Sequence, residues 1–247
     1  TSAPFPEDFE PEKIDEIIDM AMRRSVRYKR LKSQGKTIEQ IRKVFDTKAE
    51  MKLFSWNGKI DTILSPRDSL VYSKYFLHSG LMSMQPKTGH VKAYVGGINY
   101  ENFQYDHVTS GKRQVGSTFK PFLYSLAIQE GYDPCFQVPN VPVVFDKYKW
   151  RLEKDWTPKN SGSEDLEGLT LSLKYGLANS INTVTAYIMK QFGPHAVVDL
   201  AKKIGVKSKI LAVPSLCLGT FDLSVYEMVG AYSTFSNKGV WVEPIFV

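Results

Sequence analysis

The spacing of apolar residues changes from a strand period to a helix period near residue 96 of the chain. Before this point, the segments 51–64 and 80–95 alternate apolar and polar residues around short turns, and each predicts a β-hairpin. After it, apolar residues recur at helical spacing. The helices predicted there cover 117–130, 169–179, 181–192, 195–204 and 222–237, and a strand-like segment, 240–247, follows them. We therefore expect an α+β fold, with an antiparallel sheet flanked by helices and a mainly helical subdomain.

The first third of the chain predicts three further helices. Residues 11–32 have helical spacing, with acidic residues at the start and basic residues at the end, the order that complements the helix dipole. A second helix is expected to begin after Thr37, because its hydroxyl can cap the helix and Gln40 follows three residues later. Residues 66–77 predict the third helix.

Composition excludes several classes of function. A net charge of +6 over 247 residues, without a recognised binding motif, gives no reason to expect a nucleic-acid partner. Two cysteines, Cys135 and Cys217, are too few for a disulfide scaffold; they leave open one bridge or two buried free thiols, which we favour. The four histidines are scattered, so neither a metal nor a cofactor is expected. No apolar run approaches the ~18 residues of a membrane span, and we expect this chain by itself to be soluble.

The segment from Gly116 to Phe122 has the pattern of an activated serine. Pro121 lacks an N–H and is tolerated in the first turn of a helix, so a helix is predicted to start close to it, with Ser117 at the N-terminus. Ser117 and Lys120 then lie on one face, and a neutral Lys120 would remove the serine proton. A free lysine has a pKa near 10.4, so burial or a nearby cation must lower it. Alone, the same spacing also fits a surface lysine beside a helix cap.

A second polar motif lies between two predicted helices, at Ser180 and Asn182. In an extended turn, residues two apart point the same way, so the hydroxyl and the amide are expected to face one cleft. Ser180 would relay a proton and Asn182 would hold a substrate amide. Ordinary capping residues at a helix–helix junction are the alternative.

Together the two motifs resemble the transpeptidase domain of class A (bifunctional) penicillin-binding proteins. The resemblance extends from about residue 50 to the end of the chain. It includes Leu53-Phe54-Ser55-Trp56, Ser65-Pro66, Val91–Gly97, Arg113-Gln114-Val115-Gly116-Ser117, Trp156-Thr157-Pro158-Lys159-Asn160, Val213-Pro214-Ser215-Leu216 and Gly239–Pro244. Residues 1–49 resemble the segment that joins an upstream glycosyltransferase domain to the transpeptidase domain.

The resemblance implies a role for each motif residue. Ser117 would be the acyl-accepting nucleophile and Lys120 its base. Ser180 would connect Lys120 to the leaving group, and Asn182 would bind the donor peptide. The backbone N–H of Ser117 would form half of an oxyanion hole.

One element of the family is not matched after Asn182. The Lys-Thr-Gly of the family lies on a strand well after Ser-x-Asn, whereas Lys87-Thr88-Gly89 precedes Ser117 and is predicted to form the turn of the second hairpin. We therefore expect residues 50–247 to be the front portion of a penicillin-binding, serine β-lactamase-like domain that is incomplete at its C-terminus.

The resemblance also implies a function and a location. The parent protein would be a peptidoglycan D,D-transpeptidase, anchored at the extracytoplasmic (periplasmic) face of the bacterial inner membrane. It would form a serine acyl-enzyme with D-Ala-D-Ala stem peptides, transfer the acyl group to an amine acceptor, and be trapped by β-lactam antibiotics. A D,D-carboxypeptidase that uses water as the acceptor, and a catalytically silent cell-wall scaffold, are the alternatives.

Overall fold

The computed structural model describes residues 4–162 and 166–246 and divides the chain into two compact units, one ending at His78 and one starting at Ser79. Each unit contains both helices and antiparallel strands, which confirms the α+β class. The boundary that we predict between residues 49 and 50 falls inside the first unit.

The first unit consists of a group of helices and one hairpin. Its elements are α1 (Pro11–Arg24), α2 (Val26–Ser33), α3 (Ile38–Asp46), β1 (Ala49–Leu53), β2 (Ile60–Leu64) and α4 (Pro66–Ser73). The helix predicted over 11–32 is two helices, because Ser25 is extended (φ −67°, ψ 148°) and its hydroxyl accepts a hydrogen bond from the N–H of Tyr28. The predicted cap of α3 is present, since the side chains of Thr37 and Gln40 bond to each other's backbone N–H.

The second unit carries the remaining strands and helices. They are β3 (Leu81–Met84), β4 (Val91–Val95), β5 (Lys112–Gln114), α5 (Lys120–Gln129), β6 (Gln137–Pro139), α6 (Lys147–Trp150), β7 (Thr170–Ser172), α7 (Leu173–Ala178), α8 (Asn182–Lys203), β8 (Asp222–Ser224) and α9 (Val225–Ser236). In the described residues the strands form four two-stranded antiparallel ribbons, β1–β2, β3–β4, β5–β8 and β6–β7, instead of one sheet. The segment predicted as a strand over 240–247 forms only one bridge, between Ile245 and His90, and its last residue lies outside the described ranges.

The core of the second unit forms where α5 packs on α8. Its members include fully buried apolar side chains of both helices, among them Phe122, Leu123, Val184 and Met189. The two helices predicted over 181–192 and 195–204 join at Gly193, which has a left-handed φ of 77° and interrupts α8 before Pro194. This packing brings the N-terminus of α5 close to the junction of α7 and α8.

The structure also bears on the cysteines, on membrane-spanning helices and on metal-binding groups. Both cysteines are free; Cys217 is buried, but Cys135 is exposed, so the expectation of two buried thiols is wrong for Cys135. Across the described ranges, no helix combines the length and apolarity that crossing a membrane requires. The same residues contain no group of histidine, cysteine or carboxylate side chains suited to a metal ion.

Candidate active site

A short 3-10 turn, Gly116–Phe119, places Ser117 immediately before α5, as the position of Pro121 predicts. Gly116 is left-handed (φ 54°), and its N–H donates to the carbonyl oxygen of Gly219 at 3.0 Å. A Cβ on Gly219 would lie 2.1 Å from the carbonyl oxygen of Gly116, so only glycine permits this approach. The serine turn is therefore fixed by backbone contacts with a distant segment.

Ser117 has an exposed side chain at this turn. Its carbonyl oxygen accepts a hydrogen bond from the N–H of Lys120, which begins α5. Within the part of the chain that the structure describes, neither the hydroxyl nor the N–H of Ser117 is hydrogen-bonded. Both groups are thus accessible to a ligand.

Lys120 is almost completely buried, with 1% of its surface exposed. Its Nζ donates to three oxygens of the α7–α8 junction: the carbonyl oxygen of Ser180 at 2.7 Å, the Oγ of Ser180 at 2.9 Å and the Oδ1 of Asn182 at 2.6 Å. The structure therefore brings Lys120, Ser180 and Asn182 together, with Ser117 one turn before the lysine.

Burial lowers the pKa of Lys120 from 10.5 to about 8, and the neighbouring Cys217 has a smaller opposing effect. Burial also raises the pKa of the Cys217 thiol to about 12, which keeps it protonated and uncharged at neutral pH. With a pKa of about 8, roughly one lysine in ten is neutral at pH 7, compared with about one in three thousand for an unburied lysine. The site thus provides a usable fraction of free amine.

The three partners of Lys120 differ in what they permit when the lysine loses its proton. An ammonium uses all three N–H groups, whereas a neutral amine has two N–H groups and one lone pair. The carbonyl oxygen of Ser180 and the Oδ1 of Asn182 can only accept, but the Ser180 hydroxyl can either accept or donate. When Lys120 is neutral, the hydroxyl can donate to Nζ, so the network keeps all three hydrogen bonds in both protonation states. This reversibility suits proton relay between Lys120 and Ser180.

The backbone at Ser180 differs from the extended turn that we predict. Ser180 is left-handed (φ 55°), and its N–H donates to the carbonyl oxygen of Leu177 at 3.1 Å as α7 ends. Ile181 is extended and α8 begins at Asn182. The two side chains nevertheless contact the same lysine, because the left-handed residue turns the chain between the helices. A left-handed non-glycine residue costs about 1–3 kcal/mol, and such strain is concentrated at functional sites.

Asn160 and Asn140 also contribute to the site, and the sequence assigns neither of them a role. The Oδ1 of Asn160 accepts from the N–H groups of Asn182 (2.8 Å) and Thr183 (3.1 Å), which caps α8. The side chain of Asn140, which is 2% exposed, bonds to Asn160 at 3.1 Å and to Thr183. Asn160 ends one of the segments that carry the resemblance, and that was the one signal in the sequence that pointed to it.

Lys87-Thr88-Gly89 lies in the turn of the β3–β4 hairpin, as predicted. The N–H of Thr88 donates to the carbonyl oxygen of Gln85 at 3.3 Å, and Gly89 is left-handed (φ 78°). A Cβ at Gly89 would lie 2.2 Å from the carbonyl oxygen of Glu243, so glycine is required there.

Comparisons with protein families give two adjacent matches. Residues 1–77 match the family described as the penicillin-binding protein middle domain, and residues 80–247 match the penicillin-binding protein transpeptidase domain. The division between the two matches coincides with the division of the structure into units.

Similar curated proteins carry penicillin-binding names. Penicillin-binding protein 1A of Pseudomonas aeruginosa is 35% identical over 171 residues, which are 68% of this chain and 20% of that protein. Penicillin-binding protein 1A of Aquifex aeolicus is 29% identical over 95% of this chain and 33% of its own length. Penicillin-binding protein 2D of Bacillus subtilis is 33% identical over 68% of this chain and 24% of its own length. The chain therefore spans a fifth to a third of the length of these relatives.

Solved structures show the same similarity. Penicillin-binding protein 1A from Haemophilus influenzae is 30% identical with a TM-score of 0.63, over 68% of this chain and 25% of that one. The penicillin-binding protein PonA1 from Mycobacterium tuberculosis, 22% identical with a TM-score of 0.55, shares the fold over 92% of this chain and 59% of its own.

Proposed function

Since the chain belongs to the penicillin-binding protein family, with a middle domain and a transpeptidase domain, we propose that it carries the acyl-transfer site of a peptidoglycan D,D-transpeptidase. The observation that supports this most strongly is the buried Lys120, whose Nζ contacts the Ser180 hydroxyl and the Asn182 amide three residues after an accessible Ser117. A buried lysine with a lowered pKa, one helical turn after a serine whose hydroxyl has no partner among the described residues, supplies the base and the nucleophile of such a reaction.

In the first half of the proposed reaction, the Oγ of Ser117 attacks the carbonyl carbon between the two D-Ala residues of a stem peptide. Neutral Lys120 takes the hydroxyl proton as the new C–O bond forms. The carbonyl oxygen becomes an oxyanion, and the unbonded N–H of Ser117 stabilises it. Ser180 passes a proton from Lys120 to the departing nitrogen, so D-Ala leaves as a neutral amine and Ser117 carries the acyl group.

In the second half, an amine of a neighbouring strand attacks the acyl-Ser117 carbonyl. Its proton moves to Lys120, and the Oγ of Ser117 is released and reprotonated. If water takes the place of the amine, the outcome is the carboxypeptidase reaction. A β-lactam acylates Ser117 in the same way but keeps its leaving group tethered, so the enzyme remains blocked.

Asn182 is suited to bind the donor peptide while it holds Lys120. Its Oδ1 accepts from Lys120, and its Nδ2 donates to the carbonyl oxygen of Lys159 at 2.7 Å. A side-chain amide has a second N–H and a second lone pair. These remaining groups would pair with the backbone of a stem peptide.

The rest of the parent protein follows from the same proposal. We place the middle domain, residues 1–77, after a glycosyltransferase domain of the parent, and the acyl-transfer site in the transpeptidase domain, residues 80–247. The parent would be anchored in the bacterial inner membrane with this chain on the periplasmic side. Its partners would be stem peptides, amine acceptors and β-lactams.

The decisive experiment labels the full-length protein that contains this chain with a fluorescent penicillin. We expect wild type and Ser125→Ala to be labelled, and Ser117→Ala to be unlabelled. Ser125 is the matched control, because it lies on α5 and its hydroxyl bonds, among the described residues, only to the carbonyl oxygen of Phe122. A Ser→Ala change at a helix start costs about 0.5–2 kcal/mol, so the variant stays folded. Labelling of Ser117→Ala, mapped to another residue by mass spectrometry, would overturn the assignment.

A further inference from the structure

The amide of Asn182 has to present its oxygen, and not its nitrogen, to Lys120. Lys120 reaches Asn182 as a hydrogen-bond donor, so a rotated amide would place two donors against each other. The carbonyl oxygen of Lys159 accepts from the Nδ2 of Asn182 at 2.7 Å and thereby sets the orientation of the amide. The orientation of Asn182 therefore depends on where the 159–160 segment lies.

Asn160 is the side chain that holds this segment against α8. Its Oδ1 accepts from the N–H groups of both Asn182 and Thr183, at 2.8 and 3.1 Å. Its Nδ2 donates to the Oδ1 of Asn140 at 3.1 Å and to the Oγ1 of Thr183 at 3.3 Å. Asn160 thus caps α8 and is also the chain neighbour of Lys159, whose carbonyl oxygen orients the Asn182 amide.

Buried contacts fix Asn160 in turn. The Nδ2 of Asn140 donates to the carbonyl oxygen of Leu166 at 2.6 Å, and the Thr183 hydroxyl donates to the Oδ1 of Asn140. Asn140 and Thr183 are both buried. Because each polar group in this network has a partner, the network has a single low-energy arrangement.

We infer that Asn160 is a positioning residue for the proposed acyl-transfer site, which holds the Asn182 amide with its oxygen directed at Lys120. The inference rests on the proposed function, since it assigns Asn160 to the same reaction. Asn160 acts through Asn182 and does not contact Lys120 itself. Misplacement of a catalytic group by about 1 Å can reduce a rate about 10²-fold, so an effect of about 10–100-fold on acylation is expected when Asn160 is removed.

Asn160→Ala and Asn160→Asp are expected to shift the pH dependence of acylation in opposite directions. Asn160→Ala frees the Asn182 amide, and loss of its oxygen from Nζ disfavours the ammonium, so the acid limb of the rate profile moves to lower pH. Asn160→Asp keeps an oxygen acceptor for the two N–H groups but adds a negative charge near Lys120. That charge favours the ammonium, so the acid limb moves to higher pH. The remaining titratable neighbour of Lys120, Cys217, stays a neutral thiol in both variants.

Asp146→Ala is the matched control. The Oδ1 of Asp146 also accepts two helix N–H groups, those of Tyr148 and Lys149, each at 2.9 Å, but it caps α6. Its loss therefore removes a two-bond helix cap in the same unit without reaching Lys120. We expect a smaller fall in melting temperature than for Asn160→Ala, because Asp146 is exposed and Asn160 makes four hydrogen bonds, and we expect a wild-type acid limb.

The experiment measures the second-order rate constant of penicillin acylation as a function of pH, with melting temperatures, for the full-length protein and the three variants. A slower Asn160→Ala and opposite shifts of the acid limb in the Ala and Asp variants support the inference. If both variants lose melting temperature as Asp146→Ala does, but keep the wild-type rate or limb, Asn160 is only a structural cap and the inference is wrong. Failure of wild type to react would instead refute the proposed function.

Discussion

Among the described residues of the second unit, two side chains of a charged type are buried, Lys120 and Glu227, and their surroundings have opposite effects on their charge. Glu227 is 9% exposed, and its carboxylate accepts five hydrogen bonds. The donors are the N–H groups of Lys207 (3.0 Å), Ser208 (2.7 Å) and Ser224 (3.0 Å) and the hydroxyls of Ser208 and Ser224 (both 2.9 Å). Burial by itself would raise the pKa of Glu227, but the hydrogen bonds from Ser224 and Ser208 outweigh it and the pKa is lowered.

Lys120 is buried more completely, but its partners do not compensate for burial. Its three acceptors are neutral, and the loss of solvation on burial dominates, so its pKa is lowered and the charged form is disfavoured. Backbone N–H groups around Glu227 stabilise its negative charge. The Ser180 hydroxyl, which can donate or accept, allows Lys120 to lose its proton and keep the hydrogen bond. This contrast separates a carboxylate that stays charged within the fold from an amine suited to the proton transfer that we propose.

The largest effect is expected for Lys120→Arg. Arginine keeps the positive charge but has no accessible neutral form, so it cannot take a proton from Ser117. We expect the second-order rate constant of penicillin acylation to fall by at least ~10²-fold in the full-length protein. Near-normal acylation would mean that Lys120 contributes only its positive charge. Lys120 would then resemble Glu227, which acts in its charged form.

Glu227→Ala should cause the largest loss of stability. It leaves the buried donors of Ser224 and the partly buried donors of Ser208 and Lys207 without their acceptor, and we expect the free energy of unfolding to fall by about 2–4 kcal/mol in urea titrations. Lys207→Ala is the control, since it removes an exposed side chain paired with Glu243 but keeps the N–H that bonds to Glu227. If the two variants are equally stable, the hydrogen bonds around Glu227 do not matter for the fold.

A smaller effect should appear in the pH dependence of stability. The unfolded chain binds more protons than the folded chain between the lowered pKa of Lys120, about 8, and its ordinary value of 10.5, so its contribution to stability rises with pH across this window. We expect a gain on the order of 1 kcal/mol between pH 8 and about pH 9.5 in wild type relative to Lys120→Met.

The contribution of Glu227 also rises with pH, but in the acidic range. It is fully present above the ordinary carboxyl pKa and is lost as pH falls through the lowered folded-state pKa. The midpoints of urea unfolding, measured across pH for wild type, Lys120→Met and Glu227→Ala, separate the contributions of Lys120 and Glu227. A flat difference between wild type and Lys120→Met above pH 8 would show that the lysine has an ordinary pKa.

Local signals in the sequence were sufficient for much of the fold. The Thr37–Gln40 capping box, the short turn of the 51–64 hairpin and the helix start set by Pro121 each act within a few residues, and the structure contains all three features. The family resemblance is confirmed, and it gave Ser180 and Asn182, which the polar motif had already singled out, the roles that we propose.

What the sequence did not predict depends on distant contacts. The pairing of β5 with β8 and the contact of Asn160 with Asn182 arise only when remote segments dock. The left-handed Ser180 is imposed by the junction of two helices, since serine by itself favours other conformations. The pKa of Lys120 follows from burial, which no local pattern encodes.

The hydrogen-bond partners of Lys120 come from a distant part of the chain, so its surroundings form late in folding. Lys120 takes all three of its hydrogen-bond acceptors from residues 60 to 62 positions later in the chain. Until α5 and α8 have docked, the amine is solvated, has an ordinary pKa and holds almost no free base. Ser117 is then no more nucleophilic than any other serine. The reactivity that we propose for Ser117 would therefore appear only once α5 and α8 have docked and the core is complete.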